Sequence, residues 1–158
     1  MKTRYLFDPK WKKWGWIILI PAILLGLFTV ITDWEPALLD IEMYGPFITD
    51  YSGEGSESGY LDNNLMNEIC GILLILGGLL VAFSKQQEED EFIQKLRLES
   101  LVWATYGNYI ILILGFVFVY DFGFFWVMLF NMFTVLLLFI LKFHWDLWKL
   151  KQSLSYAE

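Results

Sequence analysis

This sequence has very little cysteine and histidine, and it has no glycosylation sequon. Its 158 residues include one cysteine, Cys70, and one histidine, His144. A single cysteine excludes an intrachain disulfide, and the lack of Cys/His clusters argues against zinc, iron–sulfur and haem sites. No Asn-x-Ser/Thr sequon occurs, which is compatible with a bacterial source. We therefore expect neither a metal nor a cofactor.

Positive charge is missing from two long stretches of the chain. All 11 lysines and arginines lie within residues 2–13, 85–97 or 142–151. The two stretches between these segments contain only acidic charges, at Asp33, Glu35, Asp40, Glu42, Asp50, Glu54, Glu57, Asp62, Glu68, Glu99 and Asp121. The formal net charge of −7 is therefore unevenly distributed. Because an acidic face repels nucleic acid, we expect neither DNA nor RNA as a partner.

Long apolar runs are abundant. Apolar residues make up 57% of the chain and aromatic residues 19%, which is more than soluble domains usually contain. A helix needs about 20 mostly apolar residues to cross a bilayer, and residues 14–32, 65–84, 101–120 and 124–143 meet this requirement. The first run is too long for a signal peptide and no cleavage site follows it, so we interpret it as a retained helix. The predicted fold is all-α, an integral membrane four-helix bundle that forms a single domain over residues 1–158.

The distribution of lysine and arginine also predicts an orientation. Basic residues concentrate in the short cytoplasmic segments of membrane proteins. The N-terminus, the segment between the second and third spans, and the C-terminus are the three basic segments here. We therefore predict a multi-pass protein of the bacterial cytoplasmic (inner) membrane, with both termini in the cytoplasm.

The outer loop, residues 33–64, is predicted to have two parts. Residues 36–44 favour a short surface helix, since Pro36 suits a first helical position and Gly45-Pro46 ends the run. Its apolar side chains would lie on the lipid surface. Residues 51–60 are rich in glycine and serine and predict a polar loop. Its acids are potential Ca²⁺ ligands, but their spacing matches no calcium loop, so we interpret it as a solvated linker.

Helical spacing continues beyond the membrane on the cytoplasmic side. The acids at 88–91 favour a helix N-terminus, and Glu91 precedes Lys95 by four residues. We predict one helix over about 88–120, whose cytoplasmic extension lies within 86–100, and a fourth helix that continues past Lys142. Only residues 121–123 join the third and fourth spans, so these spans should form a tight antiparallel hairpin that extends into the cytoplasm.

Polar groups within or beside the spans are candidate sites, because such groups are costly in lipid. The polar intramembrane candidates are Glu68, Glu99, Asn108, Asn131 and His144. Glu99 and His144 resemble an acid–base pair. A structural cluster with Arg97 and Asp146, which would lock two helices together, is the preferred interpretation. We assign no catalytic residue.

The two asparagines predict a polar seam between the third and fourth spans. Thr105, Tyr106, Tyr109 and Thr134 are its other expected members. Asparagine in hydrocarbon usually bonds a neighbouring helix, so packing is preferred over a substrate path. Glycines at helical spacing should also allow close approach between helices, and the candidates are Gly71, Gly78, Gly107 and Gly115.

Large apolar side chains on the cytoplasmic extensions predict an interaction surface. The interface candidates are Phe92, Ile93, Leu96, Arg97, Trp145, Asp146 and Trp148. Two short helix ends cannot bury so many large residues against each other, and an apolar remainder rimmed by charge is typical of an interaction site.

The segment that opens the third helix has a counterpart in known proteins. Residues 88–101, E-E-D-E-F-I-Q-K-L-R-L-E-S-L, place acids before a basic residue and an apolar span. In this the second half of the chain resembles small uncharacterised bacterial four-helix membrane proteins, which carry an acidic D-E-x-x-x-x-K/R helix before the third span. The resemblance implies neither a reaction nor a ligand.

Three functions remain open on the sequence alone. The leading hypothesis is a non-enzymatic inner-membrane protein that acts through a protein partner, as a regulatory or accessory subunit, or through a homo-oligomer. The second is a small transporter or membrane enzyme that uses the polar seam. The third is a lipid-binding protein, and membrane lipids are expected partners in every case.

Overall fold

The computed structural model describes residues 5–49, 56–87 and 90–155. Helices account for most of this part of the chain, namely α1 (Pro9–Thr32), α2 (Met66–Ala82), α3 (Glu91–Phe118) and α4 (Phe122–Ser155). A 3-10 turn, Ala37–Leu39, and two strands, β1 (Asp40–Thr49) and β2 (Ser56–Asn64), lie between α1 and α2. The chain divides into two compact units. One combines the residues up to Leu19 with those from Leu74 onward, and the other is Ile20–Leu73.

Three of the four helices are long and apolar enough to cross a membrane. They are α1, α3 and α4; α1 and α4 contain the predicted spans 14–32 and 124–143, and α3 contains all but the last two residues of 101–120. Helix α2 is equally apolar but has 17 residues. At 1.5 Å per residue it extends about 26 Å, slightly less than a typical hydrocarbon core. The prediction of four apolar helices is therefore confirmed, with three of them at full spanning length.

The ends of α3 and α4 agree closely with the sequence prediction. Helix α3 begins at Glu91 because Asp90 caps it, its Oδ1 accepting a hydrogen bond from the Ile93 backbone N–H at 2.9 Å. The remaining acids of the predicted helix start, residues 88 and 89, lie outside the described residues. Helix α4 continues past Lys142 to Ser155 as predicted, so the interface candidates Trp145 and Trp148 are both helical.

The segment between α1 and α2 was predicted wrongly. Instead of a surface helix over residues 36–44, only Ala37–Leu39 is helical, and the chain then enters β1. Strand β2 pairs with β1 in antiparallel register, and the Tyr44 and Tyr60 rings meet across the pair at 5.6 Å. Residues 56–60, predicted as polar loop, therefore belong to a strand, and 50–55 lie outside the described residues. The hypothesis of a lipid-binding surface helix at this position has no helix to support it.

Contacts between α3 and α4 follow an antiparallel order. Residues 107, 108 and 115 of α3 lie against residues 138, 131 and 127 of α4, respectively. A methyl group on Gly115 would come within 2.7 Å of the Val127 side chain. The expectation that Gly107 and Gly115 lie at a close helix approach is therefore confirmed.

Helices α1 and α2 approach each other backbone to backbone within the first unit. A Cβ atom on Gly77 would lie 2.8 Å from the Leu19 backbone nitrogen, and one on Gly15 would lie 2.9 Å from the Val81 nitrogen. Neither glycine was singled out from the sequence. Gly78, which was, lies against the Leu136 side chain of α4.

Candidate functional site

The basic segments of the sequence meet at one end of the first unit. The chain before α1 is hydrogen-bonded to the chain after α2, since the Phe7 N–H donates to the Phe83 carbonyl and the Lys85 N–H donates to the Phe7 carbonyl, both at 2.9 Å. Lys12 Nζ also donates to Gln86 Oε1 at 3.0 Å. These bonds fix the N-terminal lysines beside the segment that leads into α3.

Arg97 joins the same end from α3. It is buried, its Nη2 donates to the Ser84 carbonyl at 3.2 Å, and its guanidinium lies 5.1 Å from the centre of the Phe143 ring. One side chain thus connects the segment after α2, helix α3 and helix α4. Arg97 was predicted as an interface residue, and this is corrected, because its head group is enclosed.

A groove separates the start of α3 from the end of α4, and we call it the α3–α4 groove. Its volume is about 470 Å³, and it is lined by Phe92, Leu96, Glu99, Asp146, Lys149, Leu150 and Ser153. Phe92 is 53% exposed, and Trp145 and Trp148 beside it are each 58% exposed. Since Ile93 and Leu96 are only half-buried, the two apolar stripes do not cover each other.

Charges of both signs surround this groove. Asp146 accepts a hydrogen bond from Lys142 Nζ at 2.9 Å, so its ion pair is with its own helix and the predicted bond with Arg97 is wrong. The Lys149 ammonium lies over the Trp145 ring at 5.4 Å, and that ring is 6.2 Å from Trp148. The groove therefore combines exposed aromatic rings with a charged rim.

The acid–base pair of Glu99 and His144, the alternative to the preferred structural cluster, does not form. His144 Nδ1 lies 2.8 Å from the carbonyl oxygen of Ile140 one turn earlier, and its Nε2 is buried without a hydrogen-bond partner. Glu99 is exposed, with a carboxylate oxygen 3.8 Å from Lys95 Nζ. The imidazole is turned toward its own helix and the edge of Trp16, whereas the carboxylate points to solvent. This geometry supports no proton transfer between them.

The polar seam is reduced to one amide pair. Asn131 Nδ2 donates to Asn108 Oδ1 at 2.9 Å, and Asn108 is buried. The two threonines donate to carbonyls of their own helices, and the two tyrosines are exposed, so the other expected members (Thr105, Thr134, Tyr106 and Tyr109) line no path. Two amides that bond each other indicate packing.

A double-mutant cycle tests this packing role. Asn108→Leu should lower the free energy of unfolding by roughly 0.6–2 kcal/mol, because it leaves the Asn131 amide unpaired in an apolar setting. Adding Asn131→Leu should restore most of the loss, since no unpaired amide remains. Unfolding in detergent titrated with SDS measures each step. If the two losses simply add, the pair has no mutual stabilisation.

The last polar candidate, Glu68, and the buried thiol, Cys70, both make local structural contacts. Glu68 accepts a hydrogen bond from Asn63 Nδ2 at 2.8 Å in the first turn of α2, and the pair is exposed. Cys70 is buried, with its Cβ 3.7 Å from where a methyl on Gly26 would lie. Over the described residues, no group of three or more His, Cys, Asp or Glu side chains is arranged to hold a metal ion.

Of the interface candidates, Phe92, Leu96 and Asp146 line the α3–α4 groove. Sequence reasoning did not predict a second cavity, which is lined by Lys12, Lys13, Lys85 and Lys151. The signal for that cavity was the clustering of lysine in three separate segments, which was used only to orient the chain. Comparisons of the chain with protein-family models, curated proteins and solved structures give no match.

Proposed function

We propose that this chain is a small, non-enzymatic protein of the bacterial inner membrane that acts through a protein partner, as a regulatory or accessory subunit. In this proposal the four helices form a membrane bundle with both termini in the cytoplasm. The α3–α4 groove is the surface that the partner contacts, and a second copy of the chain is the alternative occupant to be tested.

Exposed apolar side chains support the membrane placement. Isoleucines and leucines along the helices, such as Ile17, Leu24, Ile110 and Ile113, are exposed. Water disfavours so much apolar surface, whereas lipid covers it without cost. The meeting of basic segments at one end of the first unit supports the assignment of that end to the cytoplasm, because basic residues concentrate on the cytoplasmic side of membrane proteins.

The proposal of a protein partner rests on how far Phe92 lies from the predicted third span. Phe92 precedes Leu101, the predicted start of the third span, by nine residues, or about 14 Å of helix. The headgroup layer on each side of a bilayer is only about 5–8 Å thick. Lipid can therefore cover Trp145, which follows the fourth span closely, but it does not reach Phe92. A half-exposed phenylalanine beyond the lipid is a surface that another protein can bury.

The shape and charge of the groove favour a helical segment of the partner. Grooves between two helices commonly bind the apolar face of an amphipathic helix. Phe92, which lines the groove, and Trp148, which directly precedes the lining residue Lys149, would supply aromatic anchors, which dominate binding energy when a partner desolvates them. Glu99 and Lys149 carry opposite charges on the two sides of the groove and would orient the incoming helix.

Removing both anchors tests the proposal. Phe92→Ser combined with Trp148→Ser should weaken partner binding roughly 30-fold or more, since one anchor is worth about 2 kcal/mol and losses at one site are not fully additive. The folded helices should remain, because both side chains are exposed. Mass determination in mild detergent compares the double variant with the unchanged protein, and a photo-crosslinking amino acid at position 153, also in the groove lining, measures the association of both in cells. In the otherwise unchanged protein, the same amino acid at position 92 identifies what the groove contacts.

A matched double variant distinguishes the effect of changing the groove from the effect of removing exposed apolar surface elsewhere. Leu98→Ser with Trp126→Ser removes one exposed residue from each of the same two helices, outside the groove lining. This control should crosslink and assemble like the unchanged protein. If position 92 captures only α4 of its own chain, both in cells and in detergent, the groove has no partner and the proposal is wrong.

A further inference from the structure

A second cavity, which we call the lysine cavity, lies at the same end of the first unit. Its volume is about 640 Å³, and four lysines line it: Lys12, Lys13, Lys85 and Lys151. They come from the start of α1, the segment after α2 and the end of α4. Trp16, Ile93 and Leu147 supply apolar wall between them. Segments that are far apart in sequence thus bring four positive charges around one space.

These lysines have little negative charge to offset them among the described residues. Asp90 is the one acidic side chain described in the lining, and its Oδ1 already accepts the capping hydrogen bond of α3. The lysine ion pairs present in the described residues, Lys95 with Glu99 and Lys142 with Asp146, lie outside the cavity.

Lys12 shows most directly how the clustered positive charges affect one another. It is half-buried, and its ammonium donates to the neutral side-chain oxygen of Gln86. Burial lowers the pKa of Lys12, and the positive charges of Lys151 and Arg97 lower it further. Like charges held around a cavity raise the free energy of the folded protein, and an anion that enters the cavity lowers it.

We infer that the lysine cavity binds a phosphate-bearing anion, supplied either by the headgroup of an anionic phospholipid or by a soluble phosphate compound. Lysine binds phosphate as a compact point charge. The volume lies within the usual range of small-ligand sites. Lys12 and Lys13 directly precede Trp14, the predicted start of the first span. Given the proposed membrane placement, the cavity lies at the depth of the inner headgroups, where basic pockets between helices hold anionic lipid. Trp16 and Leu147 would contact the less polar part of the same lipid molecule.

Native mass spectrometry of the full chain in mild detergent tests the inference. Dioleoyl-phosphatidylglycerol should bind in a defined one-to-one adduct, whereas dioleoyl-phosphatidylcholine, whose headgroup has no net charge, should not. Lys85→Gln with Lys151→Gln should weaken the phosphatidylglycerol adduct at least about tenfold, because each lysine near a headgroup contributes about a factor of five. Inorganic phosphate at millimolar concentration distinguishes the two sources. Displacement of the lipid, or binding of phosphate alone, assigns a soluble phosphate to the cavity, and lack of competition assigns the lipid.

A charge-matched control decides whether the cavity itself is responsible. Lys10→Gln with Lys95→Gln removes two exposed lysines that do not line the cavity and should leave the adduct within about twofold of the unchanged protein. Should the first cavity variant fail to fold, Lys13→Gln with Lys151→Gln removes two exposed lining charges with less risk. Equal binding by a folded cavity variant and the unchanged protein overturns the inference. So does an equal loss in the control, which would show diffuse attraction to the whole basic surface.

Discussion

Gly77→Ala should destabilise the protein by about 1–3 kcal/mol, although alanine is the better helix former by nearly 1 kcal/mol. The added methyl group would lie 2.8 Å from the Leu19 nitrogen, 3.0 Å from the Leu19 Cα and 3.2 Å from the Gly15 carbonyl oxygen. All three are backbone atoms, so no side-chain rotation can relieve the contact. Helices α1 and α2 would have to separate, and the packing around Leu19 and Val81, both fully buried, would be lost.

Gly26→Ala is the matched control for this substitution. Gly26 also lies within α1, but its added methyl group would meet only the Cys70 Cβ, at an ordinary contact distance of 3.7 Å. The better helix propensity of alanine should then make Gly26→Ala neutral or slightly stabilising. The SDS concentration at the midpoint of unfolding measures both variants. If Gly77→Ala unfolds at the same midpoint as Gly26→Ala, the close approach of α1 and α2 does not contribute to stability.

The helices could be predicted because their signal is local. A run of about 20 apolar residues has one low-energy arrangement in lipid, and Asp90 marks the start of α3 by a cap that depends on neighbouring residues alone. The clustering of lysine in three segments can also be read directly from the sequence. What these local signals do not specify is which residues of different helices meet, and for this reason Gly15 and Gly77 were missed.

The strand pair between α1 and α2 had a signal that was misread. Residues 40–43, Asp-Ile-Glu-Met, alternate polar and apolar residues with a period of two, which is typical of a strand. Pro36 and the apolar residues at 38 and 39 favoured a helix start, and that start extends only through Ala37–Leu39. Pairing with β2, including a hydrogen bond from Asn64 Nδ2 to Asp40 Oδ1 at 2.6 Å, then holds the extended chain.

The site residues were the least predictable part, because their roles depend on side-chain direction. Glu99 and His144 lie at similar depth in the predicted hairpin, yet their side chains point to different surroundings. Phe92 and Trp148 were expected to remain exposed, and they do. Arg97 was expected at the surface, but it follows Leu96 by one position and therefore lies on a different side of α3.

Arg97→Met should lower the free energy of unfolding by roughly 2–4 kcal/mol. The substitution keeps much of the apolar stem but removes the hydrogen bond to the Ser84 carbonyl and the guanidinium above Phe143. A hydrogen bond from a charged donor contributes about 1.5–3 kcal/mol, and a desolvated cation–π contact contributes up to about 2 kcal/mol. Ser84 is fully buried, so no water can replace the lost donor without opening the structure. Arg97→Lys should recover only part of the loss, because an ammonium lacks the planar face that lies on the ring.

Lys95→Met is the control, since it removes the same charge from the same helix two positions earlier. The Lys95 side chain is 74% exposed and its ion pair with Glu99 spans 3.8 Å, so this substitution should cost less than about 0.5 kcal/mol. Titration with SDS in mild detergent compares the three variants with the unchanged protein. The expected order of stability places Lys95→Met nearest the unchanged protein, Arg97→Lys lower and Arg97→Met lowest. Equal midpoints for Arg97→Met and Lys95→Met would contradict the role of Arg97 in joining α3, α4 and the segment after α2.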